Sequence, residues 1–371
     1  MNEADSKALL AALDRGESLP AKWYIDPSIA ARETERIFRK SWHYLGPAKA
    51  LAQLGDYVTG IAAEVPVISV RNERGLAAFV NVCRHRRHEV MRGCGNAKSM
   101  QCPYHAWTYD LAGCLKHAPR SQSERDFRLE DYPLLPIRVE TFGPFVFVNL
   151  DQNATPISER FGQVLEIIKQ CGVDVGILEP LRRVEWQSGG NWKNMLENYL
   201  ECYHCPVAHP GFSAAIDVRP ESYKLAQHGW FLSQIGKARL DSNESKSGAQ
   251  IYDTRGEIVQ SQYHFLWPNL TININPGFPN LSVDVWVPDG PSHTIGFSEY
   301  YFGPGVDDQF ARDLIAFNTQ VGVEDRQLTD SVQRGLKGRI PDLGRFFIES
   351  EHLIIAFQKM VVRALIDESA T

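Results

Sequence analysis

Two short segments of the chain carry residue types that together could hold a redox-active metal cluster. Cys83 and His85 lie in the first segment and Cys102 and His105 in the second, so each supplies one thiolate and one imidazole. In a [2Fe–2S] cluster of mixed ligation, two thiolates hold one iron and two imidazoles hold the other, and the neutral imidazoles raise the reduction potential. The four residues therefore predict a Rieske-type cluster that passes electrons one at a time.

Structural zinc is the alternative for the same four residues, since two cysteines and two histidines also form a common zinc site. Zinc fingers usually place a pair of cysteines before a pair of histidines, whereas each segment here mixes the two types. Residues 79–82 predict a strand leading into the first segment, and Pro103 stiffens the second. The spacing favours the iron–sulfur cluster and leaves zinc, or no metal, as the minor interpretation.

A second group of residues could hold a single iron ion. Glu201 and His204 are three residues apart, so on a helix they face the same side. Pro206 would end or bend that helix, which lets His209 turn back towards His204. Two histidines with open coordination positions fit two legs of a two-histidine, one-carboxylate iron(II) site. A histidine pair taken alone could equally be an ordinary surface or core feature.

The elements that must position these residues follow from capping residues and hydrophobic patterns. We predict helices at 26–42, 157–170 and 191–205, the first and last of which begin after an Asp or Asn N-cap. Short strands and turns alternate between 42 and 150. The region 220–302 has the alternating apolar and aromatic residues of an antiparallel sheet.

The length and charge of the chain restrict the classes of protein to which it can belong. Its 371 residues predict two domains, and its formal net charge of −6 argues against a nucleic-acid partner. The acidic N-terminus has no apolar signal core, and no run is long enough to cross a membrane. We therefore expect a cytoplasmic protein without a membrane partner. The polar segment 241–249 is expected to be a loop.

The chain has seven cysteines, which is an odd number. Cys83 and Cys102 are assigned to the cluster, and in a reducing cytoplasm the remaining cysteines are expected to be free thiols. These remaining residues are Cys94, Cys114, Cys171, Cys202 and Cys205.

The motifs resemble those of the Rieske non-heme iron oxygenases, the family of ring-hydroxylating oxygenase α subunits. The resemblance lies at residues 81–86 and 102–107, and at Glu201-x2-His204-x4-His209. It covers the chain from Trp42 through the C-terminal helix.

The resemblance implies an α+β architecture with three parts. Residues 1–41 would form an N-terminal helical segment, and 42–155 an all-β Rieske [2Fe–2S] domain. Residues 156–371 would form a catalytic domain of the helix-grip type, in which helices cover an antiparallel sheet and a mononuclear iron is held.

The third iron ligand in this family is an Asp on a long helix, and residues 321–333 resemble that helix. We assign Asp325 as the ligand. Glu324 is the alternative, because one step along a helix turns the side chain by about 100°. Both acids could also be ordinary solvated charges. Asn198 is predicted as a further catalytic residue.

The resemblance gives Glu201 a role between subunits. In most of the family an Asp at this position bridges the iron site to a Rieske histidine of a neighbouring subunit, in a head-to-tail trimer. Glu201 would accordingly join His204 to His105 of the adjacent subunit in a homotrimer. Glu in place of Asp, and the residues at 197–205, are similar to the branch that acts on quaternary ammonium compounds, the carnitine and betaine oxygenases.

The implied function is that of a terminal oxygenase, an oxidoreductase that acts as a monooxygenase or dioxygenase. It would use O2 to hydroxylate, oxidatively cleave or demethylate a small organic substrate, and the similarity at Glu201 favours a quaternary ammonium compound. Its electrons would come from NAD(P)H through a separate flavin and iron–sulfur reductase. The alternatives are an aromatic-ring dioxygenase, an aromatic O-demethylase and, from another class, a Rieske electron carrier.

Two further points concern the substrate and the cluster loop. Tyr263, Phe265, Trp267 and Trp286 could form an aromatic cage for a trimethylammonium group, although aromatic residues at a period of two are more often sheet core. In the cluster loop, the family usually has Gly where this chain has Arg87. A residue other than Gly could disturb that turn or add a surface cation for a redox partner.

Overall fold

The computed structural model describes residues 3–239 and 251–366. In this part, the helices are α1 (Glu3–Asp14), α2 (Pro27–Arg36), α3 (Ile157–Gln170), α4 (Trp192–Tyr199), α5 (Cys205–Ala208), α6 (Pro210–Ala215), α7 (Asp308–Gly338) and α8 (His352–Ile366). The loop expected at 241–249 lies outside the described residues. None of the described helices is long and apolar enough to cross a membrane.

The described strands fall into two groups along the chain. The first ten are β1 (His43–Pro47), β2 (Asp56–Ala62), β3 (Val65–Asn72), β4 (Gly75–Val80), β5 (Cys94–Asn96), β6 (Met100–Gln101), β7 (Thr108–Tyr109), β8 (Leu115–His117), β9 (Pro136–Phe142) and β10 (Phe145–Asn149). The other eight are β11 (Glu179–Ser188), β12 (Ile216–Asp217), β13 (Lys224–Gln227), β14 (Phe231–Ala238), β15 (Gln260–Leu266), β16 (Leu270–Ile274), β17 (Asn280–Pro288) and β18 (Thr294–Phe302).

The chain forms two compact units. One comprises the residues up to Glu33 together with those from Arg160 onward, and the other comprises Thr34–Glu159. The domain boundaries given by the sequence, at 41/42 and 155/156, stay predictions.

The unit Thr34–Glu159 is built almost entirely from antiparallel strands. A seven-stranded sheet has the order β1-β10-β9-β4-β3-β2-β5, and a three-stranded sheet has the order β6-β7-β8. All five residues of β10 are buried, and this strand is paired with β1 on one edge and with β9 on the other. One long loop follows β4 and a tight loop joins β6 to β7, and these loops carry the two Cys/His pairs. The all-β architecture expected for this region is confirmed.

The other unit is an antiparallel sheet covered by helices, as the resemblance implied. Its order is β11-β18-β17-β16-β15-β14-β12, with β13 paired to β14, and every pairing is antiparallel. Helix α4 packs on α7 and on β17, and α8 packs on β13. Helix α7 is 31 residues long and begins where the Asp307 side chain caps the backbone N–H of Gln309.

A buried ion pair fixes helix α4 within this unit. The Lys193 ammonium lies 2.6 Å from one carboxylate oxygen of Glu33, and the Trp192 indole donates to the other at 2.8 Å. The side chains of both charged residues are almost fully buried. Breaking such a pair from one side leaves a buried charge and typically costs about 3–5 kcal/mol, so α4 has one well-defined position.

Two of the three predicted helices differ from the structure, whereas Ile157–Gln170 agrees with it at both ends. The helix predicted at 26–42 ends at Arg36, and the buried residues Ile37 and Phe38 follow it outside the helix. A short 3₁₀ turn follows at Phe38–Lys40.

The helix predicted at 191–205 begins as expected but is shorter. The Asn191 side chain caps it by accepting from the N–H of Lys193 at 2.9 Å, and it ends at Tyr199. It ends there because Glu201 folds back and its carboxylate accepts from the N–H of Tyr203, a local bond that competes with the helix. Pro206 then lies in the first turn of the new helix α5 and does not terminate one.

Candidate redox and iron sites

The two Cys/His loops have the same backbone geometry. In the first, the N–H of Cys83 donates to the carbonyl of His88 at 2.8 Å, and in the second the N–H of Cys102 donates to Trp107 at 2.9 Å. Each cysteine carbonyl then accepts at 3.0 Å from the residue four positions later, Arg87 or Ala106. The two loops therefore share their backbone hydrogen bonds, although His85 follows its cysteine by two residues and His105 follows its cysteine by three.

Arg87 and Ala106 also share a left-handed backbone, with φ of 60° and 58°. This is the region that glycine adopts without steric cost, and it costs other residues about 1 kcal/mol or more. The concern that Arg87 raised at the sequence level is therefore a real feature of the loop. Two backbone hydrogen bonds close the turn that contains Arg87.

The four side chains separate by type. Cys83 and Cys102 are buried, whereas His85 is exposed and its ring lies 4.5 Å from that of His105, centroid to centroid. The Tyr109 hydroxyl lies 3.5 Å from the Cys83 sulfur, and burial raises the pKa of the Cys102 thiol. Two buried thiols beside the exposed imidazole of His85 and the partly buried imidazole of His105 form a donor set that fits a cluster of mixed ligation.

The second site forms where the segment after α4 meets helix α7. The Nε2 atoms of His204 and His209 lie 3.0 Å apart. The Oδ1 atom of Asp325 lies 2.9 Å from Nε2 of His209 and 3.6 Å from Nε2 of His204. Three ligand atoms converge on one point, which is the donor set of a two-histidine, one-carboxylate centre.

Three neighbouring groups orient these ligands. Nδ1 of His204 donates to Glu201, and Nδ1 of His209 donates to Glu324 at 2.7 Å. The Asn198 amide donates to Oδ1 of Asp325 at 2.6 Å. A carboxylate that accepts from Nδ1 fixes the tautomer and leaves the Nε2 lone pair free for a metal. The structure thus gives Glu324 and Asp325 different positions: Asp325 faces the centre and Glu324 lies behind His209.

The electrostatics of the site agree with a place for a cation. Burial lowers the pKa of His204, but its hydrogen bonds to Asp325 and Glu201 outweigh burial and raise the pKa to about 9. Burial raises the pKa of Asp325, and the two histidines outweigh it and hold this pKa well below its usual range. The carboxylates therefore favour the positively charged form of the histidines, and they would stabilise a bound divalent cation in the same way.

Cys202 and Cys205 form a disulfide, so the expectation that both are free thiols was wrong. The turn after α4 brings their Cα atoms to 5.0 Å, which is within the range that a disulfide spans. The redox compartment predicts how common disulfides are, but it does not predict which cysteines lie close together in the fold. The disulfide brackets His204 on both sides in the sequence. Cys83, Cys94, Cys102, Cys114 and Cys171 are free cysteines in the described structure.

A cavity of about 230 Å³ lies between the histidine site and the sheet. Its helical side includes the three candidate iron ligands. The sheet side is lined by alternate residues of neighbouring strands, which point to the same face. These strand residues include Trp186, Tyr263, Asp284, Trp286 and Tyr300. The volume suits a small organic substrate.

The predicted cage residues divide between two places. Tyr263 and Trp286 line the cavity, but Phe265 and Trp267 do not. Phe265 lies on the same face of β15 as Tyr263, yet Phe357 of helix α8 covers it at 5.4 Å between ring centroids. Phe357 also contacts Trp267. Phe265 and Trp267 therefore belong to the core under α8.

Sequence reasoning missed the aromatic residue that faces Trp286. The rings of Trp186 and Trp286 lie 4.8 Å apart, and Gly296 of β18 is paired with both. A Cβ atom at Gly296 would lie 2.3 Å from the ring of Trp186, so only glycine leaves room for the pair. The signal in the sequence was a glycine inside a strand, which often marks a close approach.

Two family models match the chain. One describes the catalytic domain of ring-hydroxylating α subunits and matches residues 178–367, and the other describes the Rieske [2Fe–2S] domain and matches residues 41–139.

Curated relatives match along most of the chain. The oxygenase subunit of carnitine monooxygenase from Acinetobacter pittii (strain PHEA-2) is 33% identical over 93% of this chain and 94% of its own length. The chloroplastic choline monooxygenase of Arabidopsis thaliana is 30% identical over 90% of this chain and 80% of its own length.

Solved structures also align along almost the whole chain. A quaternary ammonium Rieske monooxygenase, described in connection with carnitine oxidation by gut microbiota and inter-subunit electron transfer, aligns with a TM-score of 0.85. It is 32% identical and the alignment covers 96% of this chain and 97% of that one. Naphthalene 1,2-dioxygenase from Rhodococcus sp. aligns with a TM-score of 0.80 over 99% of each chain at 19% identity, which shows a shared fold.

Proposed function

We propose, on the premise that this chain belongs to the ring-hydroxylating α-subunit family of Rieske oxygenases, that it oxidises a small quaternary ammonium compound. The protein is the oxygenase component of a multi-component system and receives its electrons from a reductase. It uses a Rieske [2Fe–2S] cluster, a mononuclear iron and O2. The zinc and electron-carrier interpretations are thereby excluded.

We assign the cluster to Cys83, Cys102, His85 and His105. The shared backbone hydrogen bonds of the two loops, the buried thiols and the proximity of the two imidazoles support this assignment. The mononuclear iron is assigned to His204, His209 and Asp325, supported by the convergence of their ligand atoms. When bound, the cluster supplies single electrons, and the iron supplies the positions at which O2 is reduced.

The chain's own residues prepare the site for that chemistry. Glu201 and Glu324 hold the two histidines in one tautomer, and Asn198 fixes the carboxylate of Asp325. The cavity places a small substrate between these ligands and the sheet, where aromatic rings exclude water. Substrate orientation therefore depends on the sheet, and ligand orientation depends on the helices.

One observation carries the choice of a quaternary ammonium substrate, namely the aromatic cluster in the cavity. Trp186 and Trp286 are in contact, and the Tyr199 ring lies 6.2 Å from that of Trp286. Aromatic faces attract quaternary ammonium groups by about 0.5–2 kcal/mol for each favourable contact. Two relatives named for their reactions with carnitine and choline, both quaternary ammonium compounds, support the same class.

We further propose that electrons cross between subunits of a homotrimer through Glu201. Glu201 already accepts from Nδ1 of His204, and His85 and Tyr104 are exposed beside the candidate cluster site, where a neighbouring subunit could approach. Since the ultimate donor would be NAD(P)H, we place the protein in the cytoplasm with its reductase. Sedimentation at several concentrations tests the trimer, and a monomer that turns over at full rate would contradict it.

A single-turnover assay tests the substrate class. Reduced, fully metallated protein is given O2 with L-carnitine, γ-butyrobetaine, glycine betaine, choline or stachydrine, beside benzoate-type and methoxyaromatic acids. We expect an oxygenated or cleaved product from at least one ammonium compound and from none of the aromatic acids. Turnover of aromatic acids alone would overturn the substrate class and leave the family assignment intact.

A further inference from the structure

The sheet side of the cavity contains a carboxylate that the iron site does not use. Asp284 lies on β17, paired with Thr271 of β16 and Ser298 of β18. Trp286 is two residues further along the same strand, so both side chains point to the same face. Asp284 therefore lies beside the aromatic pair that Trp286 forms with Trp186.

The hydrogen bonds of this carboxylate are incomplete. Its Oδ2 atom accepts from the Thr271 hydroxyl at 3.3 Å and from the Asn273 amide. Its Oδ1 atom is buried and has no hydrogen-bond partner among the described residues. A buried carboxylate oxygen left in this way is costly, because it has lost water and gained nothing in return.

The same wall of the cavity holds two more buried polar atoms that lack partners in the described structure. They are Oε1 of Gln234 and Nε1 of Trp286, and both residues line the cavity. Native proteins rarely leave such atoms unsatisfied. Their concentration around one small cavity indicates that this wall is shaped for a bound molecule.

The charge of Asp284 also lacks a counter-ion within the described chain. Burial raises its pKa to about 6 and the polar side chains of Ser298, Thr271 and Asn273 oppose that rise, but no cation is among the causes of the shift. The carboxyl group is therefore mostly ionised at neutral pH. Arg326 is the only lysine or arginine that lines the described cavity, and it lies on α7 beside Asp325.

We infer that Asp284 is the counter-ion for the quaternary ammonium group of the substrate, whose methyl groups rest on Trp286 and Trp186. The inference rests on the proposed function and assigns the specificity for a cation to one residue. A quaternary ammonium group has no N–H to donate, so it is held by charge and by aromatic faces. Such a group would compensate the Asp284 charge without a hydrogen bond.

Replacing Asp284 by Asn tests this role, because Asn keeps the shape and removes the charge. The probes are choline and γ-butyrobetaine, each beside its carbon isostere, in which a tert-butyl group replaces trimethylammonium. Their dissociation constants are measured on the holoenzyme. We expect the preference for each cation over its isostere to fall by roughly 10- to 100-fold in Asp284→Asn. Asp217→Asn removes a buried carboxylate outside the cavity and should keep the preference.

The outcomes separate this inference from the proposed function. If the wild-type enzyme oxidises an ammonium compound and Asp284→Asn still prefers the cation, the inference is overturned and the function stands. If the wild-type enzyme oxidises no ammonium compound, the function fails first. Should Asp284→Asn not fold, Asp284→Glu retains the charge and must retain the preference, and a variant that folds but has lost it would contradict the role.

Discussion

Glu324 and Asp325, neighbours on helix α7, contact opposite nitrogens of the same imidazole. Glu324 accepts from Nδ1 of His209 at 2.7 Å, and Asp325 lies 2.9 Å from Nε2 of that ring. The rotation of about 100° between successive helix residues allows this, since it places one carboxylate behind the ring and the other in front of it. The two carboxylates therefore have different roles: Asp325 is the candidate iron ligand, and Glu324 orients His209.

This division predicts different effects for the two carboxylates on iron binding. Asp325→Asn should abolish stable iron binding, because the site loses a charged ligand. Glu324→Gln should weaken iron binding by about 10- to 100-fold, the usual effect of losing a carboxylate that orients a metal-bound histidine. Iron content after dialysis against a graded chelator measures both. Asp313→Asn, on the same helix and accepting from the Gln309 side chain, is the control and should bind iron normally. Equal losses in the Glu324 and Asp325 variants would contradict the assignment.

Glu201 has a local role that any test of electron transfer must separate. Its carboxylate accepts from the N–H groups of Tyr203 and His204 as well as from Nδ1 of His204. Glu201→Gln keeps an acceptor oxygen, so the iron site should fill when iron is supplied in excess, whereas the rate at which the reduced cluster is reoxidised in the presence of substrate should fall about 10- to 100-fold. Glu185→Gln, another carboxylate of the cavity lining, serves as the control. Near-normal turnover of fully metallated Glu201→Ala would refute the bridging role.

Arg87 offers a test of backbone strain in the cluster loop. Arg87→Gly should stabilise the loop by about 0.5–1 kcal/mol, because relief of the left-handed backbone exceeds the entropy that glycine adds to the unfolded chain. The measurement is the temperature at which cluster absorbance is lost on heating. Ala106→Gly, at the equivalent position of the second loop, should shift that temperature in the same direction. A lower temperature for Arg87→Gly would show that the arginine side chain itself supports the loop.

The sequence was most informative where chemistry depends on local spacing. The Cys/His pairs and the Glu201–His209 segment are each contained within about ten residues, so their geometry follows from turns and helix periodicity. The boundaries of α3 follow from its amphipathic pattern for the same reason.

What could not be predicted depends on contacts between distant strands and helices. A period of two places Tyr263 and Phe265 on the same face of β15, but it does not say that helix α8 covers Phe265. Trp186 reaches Trp286 only because β18 lies between their strands and has a glycine at that point. Strand order and register decide these contacts, and neither is visible in a single strand.

Two predicted cage residues, Trp286 in the cavity and Trp267 in the core under α8, give a matched pair of substitutions. Trp286→Leu removes an aromatic face from the cavity and should weaken choline binding by roughly 3- to 30-fold, which corresponds to one cation–π contact. Trp267→Leu removes a tryptophan from the core under α8, so it should lower the melting temperature and leave choline binding unchanged. Isothermal titration of folded protein measures binding. If both variants bind choline equally well, the cage at Trp286 is not part of the site.

The pKa of Asp284 sets a pH dependence for substrate binding. Burial raises this pKa to about 6, so the carboxyl group is neutral and attracts no cation below that pH, and it is charged above it. Choline affinity should therefore rise as the pH increases through about 6, and a bound cation should move the midpoint lower because it favours the ionised form.

Other groups of the cavity must be separated from Asp284 in that titration. Tyr199 and Tyr300 face it with pKa values raised by burial and by the Asp284 charge itself, so both stay neutral. Arg326 remains charged throughout this range, and the iron-site residues titrate alike in every variant. The difference in choline affinity between the wild type and Asp284→Asn at each pH therefore reports the contribution of the Asp284 carboxylate. We expect affinity for choline to change with pH in the wild type, and the variant to lack that component. Parallel pH profiles for the two proteins would show that Asp284 does not face the ammonium group.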